Sequence, residues 1–72
     1  MNLYYDRISK MFTLEVDDGA DFLGPMTHAL VKLRKDYDLT PSQAREALLR
    51  AVFNNGDAVP VEDVKKMAAL IK

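Results

Sequence analysis

The clearest pattern in the chain is a helical repeat of apolar residues over residues 41–53. At about 100° per residue, five of them share one continuous arc, which predicts a face packed against the rest of the domain: Ala44, Ala47, Leu48, Ala51 and Val52. Thr40 can cap the first amides, and Pro41 suits the first helical position because no amide hydrogen is needed there. The Asn-Asn-Gly run at 54–56 tolerates the left-handed conformation that ends many helices. These residues predict a central helix with both ends marked.

Two apolar residues of this helix, Leu49 and Phe53, fall outside the main arc and are separated from it by Arg45. Two neighbouring apolar residues outside a face that already packs against the domain indicate a second contact surface. We therefore expect Leu49 and Phe53, with Arg45 beside them and Val31 of the preceding helix, to contact a partner protein or a second copy of the chain. Aromatic side chains dominate interface energetics, so Phe53 is the expected anchor. Further aromatic candidates are Tyr4 and Tyr5.

Two more helices follow from the same helical spacing. One is predicted over residues 22–36, with Asp21 as its cap and Pro25 in its first turn; an alternative start at Gly24-Pro25 would shorten it without changing its inward face. Its inward face would carry Phe22, Met26, Ala29, Leu30, Leu33 and Tyr37. The other is predicted over residues 60–72, with acidic residues in the first turn, where the helix dipole favours them. Its inward face would carry Val61, Val64, Met67, Ala68 and Ile71.

The N-terminal residues fit two structures. Apolar residues recur every four positions from Tyr4 to Val16, and Asn2 can cap a helix, which together favour a helix over residues 3–10. Residues 11–16 also alternate apolar and polar like a half-buried strand. That segment stays open between helix and strand.

The length of 72 residues predicts one small domain, residues 1–72. Its expected class is mainly α: a compact bundle of three to four short helices that allows a short extended segment at 11–16. So short a chain buries a modest core, and self-association or a partner is the expected further source of stability. The chain has no cysteine and one histidine, which excludes disulfides and argues against a zinc site. We expect no metal and no cofactor.

Catalytic motifs are missing from the sequence. It has no glycine-rich phosphate loop, no nucleophile elbow and no histidine pair, and His28 alone would have to carry acid–base chemistry at neutral pH. We therefore expect no enzyme. The N-terminal residues lack the basic start and apolar run of a signal peptide, and no stretch approaches the roughly 20 apolar residues that span a bilayer. These features predict a cytoplasmic protein without a membrane partner.

The net charge of −1 differs from the strongly basic surface of proteins that bind nucleic acid through its backbone. Charge is nevertheless clustered, as a basic stripe on one helix face and an acidic group before it. Both are expected to be solvated faces that also offer contacts to a charged partner. Their members are His28, Lys32, Lys35, Asp17, Asp18 and Asp21.

A strand at 11–16 followed by helices at 22–36 and 41–53 resembles the ribbon-helix-helix family of dimeric DNA-binding regulators. The run Thr-Pro-Ser-Gln-Ala-Arg-Glu-Ala-Leu-Leu-Arg is similar to the capped second helix of that family. The resemblance implies that strands of two copies pair into a ribbon and place Thr13 and Glu15 on the bases.

Two hypotheses about function result. The preferred one is a non-catalytic protein-interaction module, a small regulator, adaptor or inhibitor that binds a partner protein or self-associates. The alternative is a dimeric DNA-binding transcriptional regulator of the ribbon-helix-helix type. Glu15 would bring a negative charge to the DNA, so nucleic acid is the second choice of partner. An extended segment 11–16 paired across a dimer would favour the alternative, and a helix there would exclude it.

Overall fold

The N-terminal third of the chain forms strands. The computed structural model describes residues 1–54 and 56–70, with side chains for all of these except 67–70, and over these residues it contains four strands and three helices. They are β1 (Asn2–Asp6), β2 (Met11–Val16), β3 (Gly19–Gly24), α1 (Met26–Asp36), α2 (Pro41–Phe53), β4 (Val59–Pro60) and α3 (Val61–Leu70). The strands form one antiparallel sheet in the order β3-β2-β1-β4. A four-stranded antiparallel sheet with three helices is an α/β fold, so the predicted mainly α bundle is wrong.

A hairpin joins β1 to β2 where a helix was expected. The carbonyl of Asp6 accepts a hydrogen bond from the amide of Lys10 at 2.8 Å, and its carboxylate accepts one from the amide of Ile8 at 2.9 Å. Lys10 adopts a left-handed φ of 60°. Side chains four residues apart share a face on a strand as well as on a helix, because strand side chains alternate with a period of two. The predicted helix over residues 3–10 is therefore wrong, and residues 11–16 form strand β2.

The predicted start of the second helix belongs to strand β3. Phe22 pairs with Thr13 of β2 and is 74% exposed, so its expected inward position is wrong. Gly24 ends the strand with a φ of 88°, a conformation that L side chains rarely adopt. Pro25 is then the N-cap of α1, which confirms the alternative start at Gly24-Pro25, and the expected cap Asp21 lies within the strand instead.

The core lies between one face of the sheet and the helices. Helix α1 packs against β3 and β2, α2 packs against β1 and β4, and α3 packs against α2. The buried apolar side chains form one cluster: Leu3, Phe12, Leu14, Leu23, Ala29, Leu33, Leu39, Ala44, Ala47, Leu48, Ala51, Val59, Val61 and Val64. The predicted arc of α2 is confirmed in four members, and the fifth, Val52, is half-buried. On α3 the predicted positions Val61 and Val64 are buried, whereas the side chains of Met67, Ala68 and Ile71 lie outside the described residues.

Helix α2 begins and ends as its sequence predicts. Thr40 accepts a hydrogen bond from the amide of Gln43 at 3.2 Å, and its own amide donates to the Gln43 side chain at 2.9 Å. Pro41 is the first helical residue. After the helix, Gly56 adopts a left-handed φ of 87°, while Asn55 lies outside the described residues. The reciprocal cap fixes the start of the helix and so the direction of each face.

The second face of the sheet is open, because no element of residues 1–54 and 56–70 covers it. The register aligns Tyr4, Thr13 and Phe22 in one row across this open face. Tyr5 lies on the covered face, where its ring is 4.7 Å from the ring of Phe12. The two neighbouring tyrosines thus point to opposite sides of the sheet, as strand alternation requires.

Candidate protein-interaction surface

A groove between the C-terminal half of α2 and strand β4 contains the two residues singled out by the helical pattern. Leu49 and Phe53 lie one turn apart on α2 and are 39% and 79% exposed. They border a space of about 500 Å³ whose far wall is formed by Ala58, Val59 and Pro60. We call this space the α2–β4 groove. It exposes a large aromatic side chain beside an apolar wall on a single surface.

The far wall is held by the loop after α2. The side-chain amide of Asn54 donates to the carbonyls of Asp57 and Ala58 at 3.4 and 3.2 Å. The amide of Asp57 donates to the carbonyl of Asn54 at 3.0 Å. The loop thereby returns the chain to β4, where Val59 pairs with Leu3 of β1. The groove is built from α2 and from a strand that is anchored in the sheet.

The rim of the α2–β4 groove carries opposite charges one helical turn apart. The Nε of Arg50 lies 3.3 Å from the Oε1 of Glu46, and both residues line the groove. Such an exposed i,i+4 pair contributes little to stability, so its main effect is on the electrostatic pattern of the surface. Arg45, which we expected beside this strip, is exposed but does not line the groove.

Val31 is exposed, at 52%, but the structure does not bring it to Leu49 and Phe53. It lies in two other grooves that share no residue with the α2–β4 groove. One of them lies between β3 and α1, has a volume of about 460 Å³, and contains His28 and Lys32 of the predicted basic stripe. The other contains Lys35. We call the first of these the β3–α1 groove. Val31 lines both grooves, and the basic stripe is divided between them, with His28 and Lys32 in the β3–α1 groove and Lys35 in the other.

Asp21 ties strand β3 to helix α1. Its Oδ2 accepts a hydrogen bond from the hydroxyl of Tyr37 at 2.6 Å, and its Oδ1 lies 3.1 Å from the Nζ of Lys32. The hydrogen bond from Tyr37, followed by that from Lys32, lowers the pKa of Asp21 below its ordinary value. The same bond to Asp21 raises the pKa of Tyr37 to about 12. Asp21 is thus engaged within the domain, whereas Asp17 and Asp18 are exposed in the turn between β2 and β3.

The ionisation of Tyr37 is expected to report this contact. In wild type, one of the three tyrosines should ionise near pH 12, and Asp21→Asn should return that pKa toward the ordinary value of about 10. A raised pKa means that the contribution of Tyr37 to stability is complete below about pH 10 and is lost as the pH rises toward 12. Tyrosinate absorbance against pH measures it, with Tyr37→Phe identifying the transition. A late transition that survives Asp21→Asn would contradict the assignment.

The contribution of Asp21 has the opposite pH dependence. Its lowered pKa means that the contribution is complete above about pH 4 and is lost as the pH falls through the lowered value. The difference in unfolding free energy between wild type and Asp21→Asn, about 1 kcal/mol at neutral pH, should therefore shrink in acid.

The open sheet face and the edge of β3 were missed by the sequence patterns above. The alternation of apolar and polar residues from Phe12 to Val16 is the pattern that could have predicted the open face. It places Thr13 on the side of the strand opposite to the buried Phe12 and Leu14. Because residues 22–36 were assigned to a helix, neither strand β3 nor the exposed position of Phe22 was predicted.

The ribbon-helix-helix arrangement is not the one found. Strand β2 is extended, as that resemblance implies, but it pairs with β1 on one side and with β3 on the other. Both of its edges are occupied within the chain, so β2 cannot pair with the same strand of a second copy. Thr13 and Glu15 lie on the open sheet face and do not project from a two-stranded ribbon.

Within the described part of the chain, no group of three or more histidine, cysteine, aspartate or glutamate residues is placed to hold a metal ion. None of the described helices is long and apolar enough to cross a membrane. Comparison of the chain with protein-family models, curated proteins and solved structures finds no significant match.

Proposed function

We propose that the chain is a non-catalytic protein-interaction domain that self-associates through the α2–β4 groove. The observation that carries the proposal is the exposure of Phe53, at 79%, next to the apolar groove that Leu49 also lines. Large aromatic side chains that become buried at the centre of an interface contribute much of its binding energy. An exposed phenylalanine beside a concave apolar wall has the form of such an anchor in its unbound state.

A second copy is the occupant that this surface fits best. Each copy carries both the protruding ring of Phe53 and the groove beside it, and a twofold interface requires this kind of self-complementary surface. The rim charges are also self-complementary. When two α2 helices lie antiparallel, the order Glu46 then Arg50 on one copy meets Arg50 then Glu46 on the other. The small core of a 72-residue chain gains stability from such an interface.

Phe53→Asp is expected to convert a dimer into a folded monomer. Wild type should have a mass in solution of twice the chain mass of 8.1 kDa, and the variant should have 8.1 kDa. Loss of a central aromatic anchor weakens association by about 2 kcal/mol or more, roughly 30-fold. Light scattering during size exclusion gives the mass, and circular dichroism checks that the secondary structure is unchanged.

The matched control is Ile8→Asp, which places the same charge at another exposed apolar residue. Ile8 lies at the tip of the β1–β2 hairpin and is 96% exposed, and it does not line the groove. This variant should remain dimeric. A monomeric wild type at high concentration would refute self-association. Unfolding by Phe53→Asp would show that the ring belongs to the core.

A further inference from the structure

We propose a second binding site, in the groove between the C-terminal half of α1 and the start of α2, which takes a segment of a partner protein with a carboxylate beside an aliphatic side chain. We call it the α1–α2 groove. It has a volume of about 410 Å³, and its lining is formed by Val31, Arg34, Lys35, Leu39 and Pro41. None of these residues lines the α2–β4 groove, so this site is independent of the proposed dimer contact.

The backbone between the two helices sets the shape of the groove. Asp38 adopts a left-handed φ of 62°, and the amide of Leu39 donates to the carbonyl of Leu33 at 3.1 Å. This turn places Leu39 in the core, at 4% exposure, where it forms the base of the groove. The cap at Thr40 then fixes Pro41 as the first residue of α2. The groove is therefore bounded by two helix ends and has an apolar base.

Two cationic side chains at this groove have no carboxylate partner. Arg34 and Lys35 are exposed, and neither forms an ion pair or a side-chain hydrogen bond within the part of the chain that the structure describes. Their neighbours in the sequence, Asp36 and Asp38, do not line the groove. Lys32, which does have a carboxylate partner, lies in the β3–α1 groove instead. The positive charge of the α1–α2 groove is thus available to an external anion.

The chemistry of the two cations suits a carboxylate. Both lie in the last turn of α1, where the helix dipole favours positive charge, and this interaction leaves their N–H groups able to bind another group. The guanidinium of Arg34 can hold a carboxylate through two parallel hydrogen bonds, and Lys35 beside it adds a second positive charge.

The apolar lining selects a peptide over other anions. Val31 is 52% exposed and lines the groove together with Leu39 and Pro41. An inorganic anion would leave this apolar surface in contact with water. A nucleic acid would do the same, and its further phosphates would meet the exposed carboxylates of Asp36 and Asp38. A peptide with an aliphatic residue next to an acidic one contacts both the cations and the apolar wall.

The acidic turn of a second copy fits this groove less well. Asp17 and Asp18 are exposed, but they form the whole of the turn between the paired residues Val16 and Gly19. Val16 packs against the core and Gly19 has no side chain, so the nearest exposed aliphatic group is the methyl of Ala20. That turn would pair with the cations and leave the apolar wall uncovered. A segment of another protein is the occupant that covers both.

Three capped pentapeptides test the site. The first is Gly-Glu-Leu-Glu-Gly, the second has glutamine in place of both glutamates, and the third has serine in place of leucine. Titration of the ¹⁵N-labelled protein, followed by its amide chemical shifts, should show about tenfold tighter binding of the first peptide than of the second. The serine peptide should bind about fivefold more weakly than the first. The largest shifts are expected at Arg34, Lys35 and Leu39.

Substitutions of exposed residues locate the site on the protein. Arg34→Gln and Lys35→Gln should each weaken binding of the first peptide about fivefold, whereas Lys66→Gln, the same loss of charge on α3, should leave it unchanged. Val31→Ser should weaken binding of the leucine peptide and leave that of the serine peptide unchanged, because only the leucine contacts this wall. Binding should persist in Phe53→Asp, since that residue lies in the other groove.

Four results would overturn the proposal. Equal binding of the glutamate and glutamine peptides would remove the carboxylate from it, and an equal loss in Lys66→Gln would show that net charge alone attracts the peptide. Tighter binding of a short oligothymidylate at the same amides would assign the groove to nucleic acid. A lower mass in solution of the Asp17→Asn, Asp18→Asn double variant, with peptide competing for the same contact, would assign it to a second copy.

Discussion

Leu48→Ala is expected to lower the free energy of unfolding by about 2–5 kcal/mol. Leu48 is fully buried on the arc of α2 that faces the sheet, so truncation removes apolar contacts and leaves a cavity. A domain of this size has a total stability of about 4–11 kcal/mol, so the loss is a large part of it. Urea unfolding followed by circular dichroism measures the change, with Phe53→Asp as the background so that dimerisation does not contribute.

Leu49→Ala is the matched control, because it makes the same truncation one residue further along the helix. Leu49 is 39% exposed at the α2–β4 groove, and the expected loss in the monomeric background is about 1 kcal/mol or less. The difference between the losses of stability in Leu48→Ala and Leu49→Ala tests which face of α2 packs against the sheet. Equal losses at the two positions would mean that the helix presents a different face to the sheet.

Helix α2 could be predicted from the sequence because all of its determinants are local. Its cap is a contact between Thr40 and Gln43, three residues apart, and its inward arc follows from the helical period alone. The exposed pair Leu49 and Phe53 follows from the same wheel, as the residues that the arc leaves out. About 14 consecutive residues therefore determine both helix α2 and the side chains that form one wall of the α2–β4 groove.

The opposite wall of the α2–β4 groove could not be predicted in this way. Val59 and Pro60 reach their place by pairing with Leu3 and Asn2 at the other end of the chain. No periodicity connects two segments so far apart in the sequence. The sequence therefore indicated which apolar side chains of α2 lie outside the core-facing arc. The shape of the groove depends on the pairing of β4 with β1, which the sequence pattern does not predict.

The N-terminal strands were mispredicted because their pattern fits two periods. Apolar residues four apart share a face in either structure, and only the alternation within residues 11–16 separates the two. The hairpin turn at Lys10 has no glycine, although its φ of 60° is one that glycine commonly adopts. Strand β2 pairs with β1 at one edge and with β3 at the other. Phe22 is part of β3, so it lies on the exposed sheet face and not in the predicted core.

Phe12→Ala is expected to destabilise the domain by about 3–5 kcal/mol. The ring is 1% exposed on the covered face of β2, in contact with Tyr5, and belongs to the core beneath the helices. At the low end of the stability expected for 72 residues, this loss would leave a substantial fraction of the chain unfolded in water. Urea unfolding in the Phe53→Asp background measures it, with thermal unfolding as a second measurement.

Phe22→Ala is the control on the adjacent strand, and it should reduce stability by about 1 kcal/mol or less. Phe22 pairs with Thr13 across the open sheet face, so its truncation loses a cross-strand contact without creating a cavity. A helix over residues 22–36 would instead make Phe22 a core residue and its truncation a large loss. A small effect at Phe22 together with a large one at Phe12 therefore requires a sheet with one covered face. The reverse pattern would contradict strand β3 and the pairing of Phe22 with Thr13.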